Sequence, residues 1–277
     1  MKKITILSFV LLLLLPIHRV SAAPKADLWP RWEQQNSTSS TTIDHQQWST
    51  FLSRYLRPGK SGINLMSYGN VTGDDRKRLE AYVQKLQNTT ISTFNRKEQF
   101  PYWVNLYNAR TVLLILEHYP VESIRDITFG WFSFGPWDEK LMNVEGEQLS
   151  LNDIEHRILR PIWKDNRIHY AVNCASMGCP NLALEAYTAS NSEALLEQSA
   201  RDYVNHPRGV AVKGQELQLS EIYRWYQEDF AKNEPGLLQH LKQYANPPLK
   251  ARLERLEKAG EIDFEYDYDW KLNTSVD

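Results

Sequence analysis

Apolar positions recur at helical spacing along most of the chain, interrupted by two short hairpin patterns and one long alternating run near the end. After Asp44, which reads as an N-cap, Trp48, Phe51, Leu52, Tyr55 and Leu56 fall on one stripe. A second helix is expected from about Thr72, with Asp74 and Asp75 in its first turn and Leu79, Tyr82, Val83 and Leu86 inward. Residues 101–119 are apolar on nearly every side, the pattern of a central buried helix. Asn105 and Asn108 lie within that helix and must find polar partners there. Residues 129–137 are rich in Gly and aromatics and read as irregular.

Residues 142–149 predict a hairpin turning at Gly146. Ser150 and Asp153 form a capping box that opens a helix, ended by Pro161. Residues 168–173 alternate and read as a strand leading into Cys174. A helix is expected around 193–204, then a hairpin pairing Val210 and Val212 with Leu217 and Leu219 across Gly214. Ser220 caps an aromatic helix reaching Phe230, and further helices cover about 235–245 and 248–259. In the tail, Ile262, Phe264, Tyr266, Tyr268 and Trp270 alternate with Glu261, Asp263, Glu265, Asp267 and Asp269. That reads as an edge strand, apolar on one face and acidic on the other, with solvated charges or, as the other reading, a site for a cation or basic partner on the acidic face. The pattern as a whole is α+β: a helix-rich single domain with a small, mainly antiparallel sheet.

The beginning of the chain reads differently. Lys2 and Lys3 precede a short apolar run that closes on Val20-Ser21-Ala22, the layout of a cleavable signal peptide over residues 1–22. Residues 23–43 lack apolar periodicity and read as a flexible segment ahead of one globular domain, 44–277. On this reading the chain is exported to the periplasm or medium, with no transmembrane anchor. Losing Lys2, Lys3 and Arg19 takes the formal charge from −2 to −5, which excludes the basic footprint of nucleic-acid binding. No partner is indicated, and no cofactor.

Candidate chemistry gathers in three places. Glu155 lies within the apolar stripe of its helix, between Leu151 and Leu159, where a carboxylate needs a partner. An ion pair with Arg110 is one reading, a general base or orienting acid another. His156 falls at the edge of that stripe, closer to solvent. His169 shares one face of the expected strand with Ala171 and Asn173, so a regular pleat points Cys174 away from it. Cys174 and Cys179, separated by four residues, admit three readings: a disulfide, a nucleophilic Cys174, or a metal site joining both to His156 or His169. The spacing matches no common zinc pattern.

Three runs carry a resemblance. Tyr102-Trp103-Val104-Asn105-Leu106-Tyr107-Asn108-Ala109, the stretch 149–159 through Glu155-His156, and Ile168-His169-Tyr170-Ala171-Val172-Asn173-Cys174-Ala175-Ser176-Met177-Gly178-Cys179-Pro180 are similar to the family catalogued as domain of unknown function 547. The helix 219–226 is similar too, so the likeness spans about 94–230. It implies that Asn105, Asn108, Glu155, His156, His169 and Cys174 are motif positions, without assigning them roles. Some relatives resemble fusions to glutaredoxin-like domains, which implies thiol chemistry. The leading expectation is a thiol-dependent hydrolase or acyl transferase: Cys174 as nucleophile, His169 or His156 as base, Glu155 orienting, Asn105 or Asn108 stabilising an oxyanion. The rival expectation is a non-catalytic binding or scaffold domain, with a Cys174–Cys179 disulfide and a buried polar network.

Overall fold

The computed structural model describes residues 24–130, 135–260 and 262–275. The expected signal peptide and its cut after Ala22 lie outside these residues. Helices α1 (Gln46–Tyr55), α2 (Gly73–Gln87) and α3 (Arg96–His118) form the first layer, with a two-stranded ladder of β1 (Leu56–Pro58) and β2 (Asn64–Met66) between α1 and α2. Thr72 caps α2 by accepting from Asp75 N–H, and Asn95 caps α3 by accepting from Lys97 and Glu98 N–H. Apart from its two ends, α3 is buried along its whole length, so it is the spine of the larger core.

The hairpin β3 (Met142–Val144) and β4 (Glu147–Leu149) turns at Gly146, whose φ of 85° suits a residue without Cβ. Ser150 and Asp153 then make the expected reciprocal cap: Ser150 N–H donates to Asp153 Oδ2 (2.8 Å) and Asp153 N–H to Ser150 Oγ (3.1 Å). The helix differs from expectation in two ways. Residues Asp153–Leu159 are wound as a π-helix, and the chain continues past Pro161 as α4 (Arg160–Trp163), ending on left-handed Lys164. Pro161 has no N–H to give, so it leaves carbonyls one turn earlier without a helical partner. Asp27 N–H bonds His156 O (2.9 Å) and Trp29 N–H bonds Arg157 O (3.0 Å). The expected flexible segment therefore includes a docked strap. Trp32, within it, is buried against Trp103.

Residues 168–171 form a single helical turn, α5 (Ile168–Ala171), where a strand was expected. Asp165 starts the turn by accepting from Arg167 N–H, and all four residues of α5 are buried. With no solvated side, the alternation of polar and apolar residues carries no information about a pleat.

A second core follows. Helix α6 (Ser192–Val204) leads to β5 (Val210–Lys213) and β6 (Glu216–Ser220); then come α7 (Glu221–Trp225), α8 (Gln227–Phe230), α9 (Glu234–Tyr244), α10 (Pro247–Ala259) and β7 (Asp263–Asp267). The sheet order is β5-β6-β7, antiparallel across the first pair and parallel across the second. The α+β, helix-rich single domain thus stands, with its strands in three small sheets and one parallel pair. In β7, Phe264 and Tyr266 face inward while Asp263, Glu265 and Asp267 are exposed. Beyond β7 the tail runs alongside residues 176–178, and Ser176 bridges Leu272. Among the described residues no helix is long and apolar enough to cross a membrane.

Candidate functional site

The two asparagines of α3 act as clamps on backbone. Asn105 Nδ2 donates to Tyr187 O (2.7 Å), and its Oδ1 accepts from Tyr187 N–H (3.0 Å). Asn108 Nδ2 donates to Ala171 O (2.9 Å), and its Oδ1 accepts from Asn173 N–H (2.9 Å). Both amides are committed to main chain, so the expected oxyanion role does not fit either. Asn108 instead sets where the segment after α5 begins.

That segment is a closed turn carrying both cysteines. Asn173 ties its ends together, donating from Nδ2 to Pro180 O (2.7 Å) and accepting Ala175 N–H on Oδ1 (2.8 Å). Ala175 sits at φ 59°, a left-handed conformation that L-residues adopt only under constraint. The tail supplies part of the constraint: Asn273 N–H bonds Ala175 O, Met177 N–H bonds Lys271 O, and Gly178 N–H bonds Asp269 O.

Cys174 and Cys179 are free thiols with Sγ atoms 3.1 Å apart, Cys179 buried and Cys174 half-buried. The Cys174 N–H also points at Cys179 Sγ (3.0 Å). Around Cys174 Sγ stand Tyr268 Oη (3.1 Å) and Ser176 Oγ (3.3 Å), themselves 2.9 Å apart. Hydrogen bonds from Cys179, then Ser176 and Tyr268, outweigh burial and the Glu155 charge, and bring the Cys174 thiol down to about 7. Cys179 moves the other way: burial and the neighbouring Cys174 push it well above the usual thiol range. Neither His156 nor His169 hydrogen-bonds Cys174, so the sulfur is prepared by thiol and hydroxyl donors rather than by an imidazole. Among the described residues no group of His, Cys, Asp and Glu is arranged to hold a metal ion.

The histidines belong to a buried charged cluster nearby. Glu155 is buried at 5% exposure, with His169 Nδ1 3.6 Å and His156 Nδ1 4.0 Å from its Oε1. The expected partner, Arg110, instead pairs with Glu117 (2.9 Å). His169 Nε2 meets Asp229 Oδ2 at 2.7 Å, and Tyr226 stacks on the imidazole at 4.0 Å. Arg160 donates from Nε to Asp229 Oδ2 (2.5 Å) and from Nη1 to His156 Nδ1 (3.1 Å) and to Pro24 O.

His156 is thus buried, at 2% exposure, rather than near solvent. The strap, the π-winding and Tyr226 cover it. Burial lowers its pKa, and an Nδ1 that accepts from arginine belongs to a neutral ring. Burial pushes Glu155 up, yet the cationic surroundings prevail and hold it at about 2. The neighbouring His156 contributes most to that effect, followed by His169 and Arg160. Asp229 is likewise held below the usual carboxylate range, against its burial, by His169 and Arg160. Tyr107 and Tyr226 are kept as phenols, first by burial and then by the charges of Glu155 and Cys174. The thiol pair and the charged cluster therefore share one electrostatic neighbourhood.

Sequence reasoning passed over Arg160, Ser176, Tyr226, Asp229 and Tyr268. Arg160 was within reach, four residues after His156 on one helix. Tyr226 closes the run 219–226 that shares the family resemblance, but nothing in that run singles it out; Asp229 lies beyond it in α8 and Tyr268 in the tail, and no local pattern connects these two to the motifs. No curated protein and no solved structure matches the chain. Residues 91–204 match the model of the family described as Protein of unknown function, DUF547, a stretch that holds Asn105, Asn108, Glu155, His156, His169 and both cysteines.

Proposed function

We propose that the chain carries out thiol–disulfide exchange, with Cys174 as the attacking thiol and Cys179 as the resolving one. The observation that carries this reading is the asymmetry of the pair. Cys174 is half-buried with Ser176 Oγ and Tyr268 Oη against its sulfur, whereas Cys179 is buried behind it with its Sγ 3.1 Å from that of Cys174; the hydroxyls lower the one thiol and burial raises the other. Cys174 thiolate attacks one sulfur of a substrate disulfide; a Cys174 mixed disulfide forms and the other half leaves as thiolate. Cys179 gives its proton to that leaving thiolate and attacks Cys174 Sγ. The Cys174–Cys179 bond forms, the bound half departs as thiolate, and two electrons have passed to the substrate. A second dithiol, acting by the same exchange, returns the pair to its reduced form.

This reading uses what stands at the sulfur. A hydrolase or acyl transferase would need a base and oxyanion donors there, whereas the imidazoles bond elsewhere and both asparagine amides hold backbone. We place the reaction outside the cytoplasm, on the signal-like residues 1–22, and expect the exported chain to begin at Ala23 on N-terminal sequencing.

The test is disulfide trapping. A Cys179→Ser variant treated with an aromatic disulfide reagent should hold the mixed disulfide on Cys174, while the native protein releases it within the same mixing time, as read by intact mass. Equal persistence in the two proteins rules out a resolving Cys179. A native Cys174–Cys179 bond that excess dithiol leaves intact favours the scaffold reading.

A further inference from the structure

The tail delivers a phenol hydroxyl to the reactive sulfur from a residue 94 positions away in the chain. We propose that Tyr268 is a catalytic hydrogen-bond donor, which with Ser176 stabilises Cys174 Sγ as thiolate whenever the exchange reaction places negative charge there. This rests on the reading of Cys174 as the attacking thiol.

Geometry makes the case. Tyr268 Oη, Ser176 Oγ and Cys174 Sγ form a triangle with sides of 3.1, 2.9 and 3.3 Å. Each hydroxyl has one proton to give, and a sulfur that bears charge is the strongest acceptor in the triangle. The Tyr268 ring is held by Trp225 at 4.9 Å and Trp270 at 4.6 Å, so its hydroxyl does not have to be ordered during the reaction. Backbone on either side is also fixed. Tyr268 N–H bonds Asp267 Oδ1 (2.8 Å), and Asp269 O takes the Gly178 N–H (2.8 Å) from the cysteine turn itself. Burial holds the phenol far above its ordinary pKa, so the donor keeps its proton across the pH range in which the thiol titrates.

The donors act at two moments. Before attack they favour the thiolate over the thiol. In the reverse direction, a free thiolate attacks the substrate sulfur of the Cys174 mixed disulfide; a new substrate disulfide forms, the bond to Cys174 breaks, and its electron pair returns to Sγ. Tyr268 and Ser176 then receive a leaving thiolate in place. The charge they stabilise is absent from the Cys174–Cys179 disulfide, so they also favour the dithiol at equilibrium.

Tyr268→Phe removes the hydroxyl and keeps the ring between its tryptophans. Iodoacetamide labelling of Cys174 is followed against pH, with intact mass as the readout. The native midpoint is expected near 7. Y268F should raise it by about one pH unit, an approximately tenfold loss of rate below the midpoint with the high-pH plateau unchanged. In a glutathione buffer at about pH 9, where Cys174 is thiolate in the native dithiol, the same variant should move toward disulfide by a similar factor, and below the midpoint by little. Ser176→Ala, which disturbs no ring packing, should shift the midpoint in the same direction. A native midpoint near 7 that neither variant moves overturns the Tyr268 role and leaves the exchange reading standing. A native midpoint at the free-thiol value of about 8.5 overturns both.

Discussion

Asn105 and Asn108 sit almost one turn apart on α3, each making two hydrogen bonds to backbone, and only one of them leads to the thiols. This permits an experiment with its own control. Replacing either asparagine by leucine keeps the side-chain volume and strands one buried carbonyl and one buried N–H: Tyr187 O and N–H for Asn105, Ala171 O and Asn173 N–H for Asn108. Each stranded group costs about 1–3 kcal/mol, so each variant should lose about 3 kcal/mol after local relaxation. For a chain of this length roughly 2 °C of melting temperature goes with each kcal/mol, which places both variants about 6 °C below the native protein. The two should part company at Cys174. N108L frees Asn173 N–H, the first anchor of the cysteine turn, and should shift the pH midpoint of Cys174 alkylation; N105L loosens the segment at Tyr187 and should leave that midpoint in place. Scanning calorimetry and alkylation on the same samples give both readings. Equal shifts at Cys174 in the two variants, or no loss of stability in either, would falsify the clamp argument.

Glu155→Gln should cost about 3 kcal/mol, what holding the carboxyl at about 2 rather than at its unfolded ~4.3 is worth, while Arg160 keeps its bond to Asp229. A carboxyl at about 2 in the fold and ~4.3 when unfolded contributes stability that is complete above about pH 4.5 and lost as pH falls toward 2. The native protein should therefore destabilise through that window, and acid titration of E155Q should show a flatter slope there. Truncation after Gly260 removes half-buried Ile262, Phe264, Tyr266, Tyr268 and Trp270 and buried Leu272. At about 1–2 kcal/mol each, these approach the ~5–15 kcal/mol net stability of a domain, so the truncated chain should show no cooperative melt. Unchanged melting would mark the tail as an appendage.

Where one face of an element meets water, the sequence could be read. The stripe of α2, the two hairpins and the tail all obey this, and in the tail Asp263, Glu265, Asp267 and Asp269 are exposed as the alternation requires. Where every face is covered, polarity loses its meaning. His169, buried and paired with Asp229, alternates with apolar neighbours just as a solvated residue would, and α5 was misread as a strand for that reason. The strap failed differently. Residues 36–42 are polar and read as a tether, but the docking rests on backbone N–H groups of Asp27 and Trp29, which composition does not report, and on Trp32, a lone buried aromatic with no periodic pattern around it. Glu155 was legible because a carboxylate on an apolar stripe is costly alone. Its partner was not, since choosing between Arg110 and the histidines depends on tertiary contacts.

The proposed thiol exchange depends on how closely the tail approaches the cysteine turn. A Cβ placed on Gly178 would meet Asp269 N at 2.9 Å and Asp269 O at 3.0 Å, both backbone atoms with little freedom to give way. The tail can therefore lie against the cysteine turn only because residue 178 has no side chain. The same approach brings Tyr268, the residue before Asp269, within reach of Cys174. It also supports the left-handed Ala175 through the Asn273 bond to its carbonyl. A turn strained at Ala175 would relax without those bonds, and the cysteines would lose the spacing that lets Cys179 act on Cys174. The acidic outer face of the tail fits the same requirement, because repulsion between like faces keeps another edge from pairing with β7 and drawing the tail away. Glu155 acts in the opposite sense at the sulfur, its charge raising the thiol that the donors lower. That the donors prevail follows from distance: they touch Sγ, whereas Glu155 acts only through space.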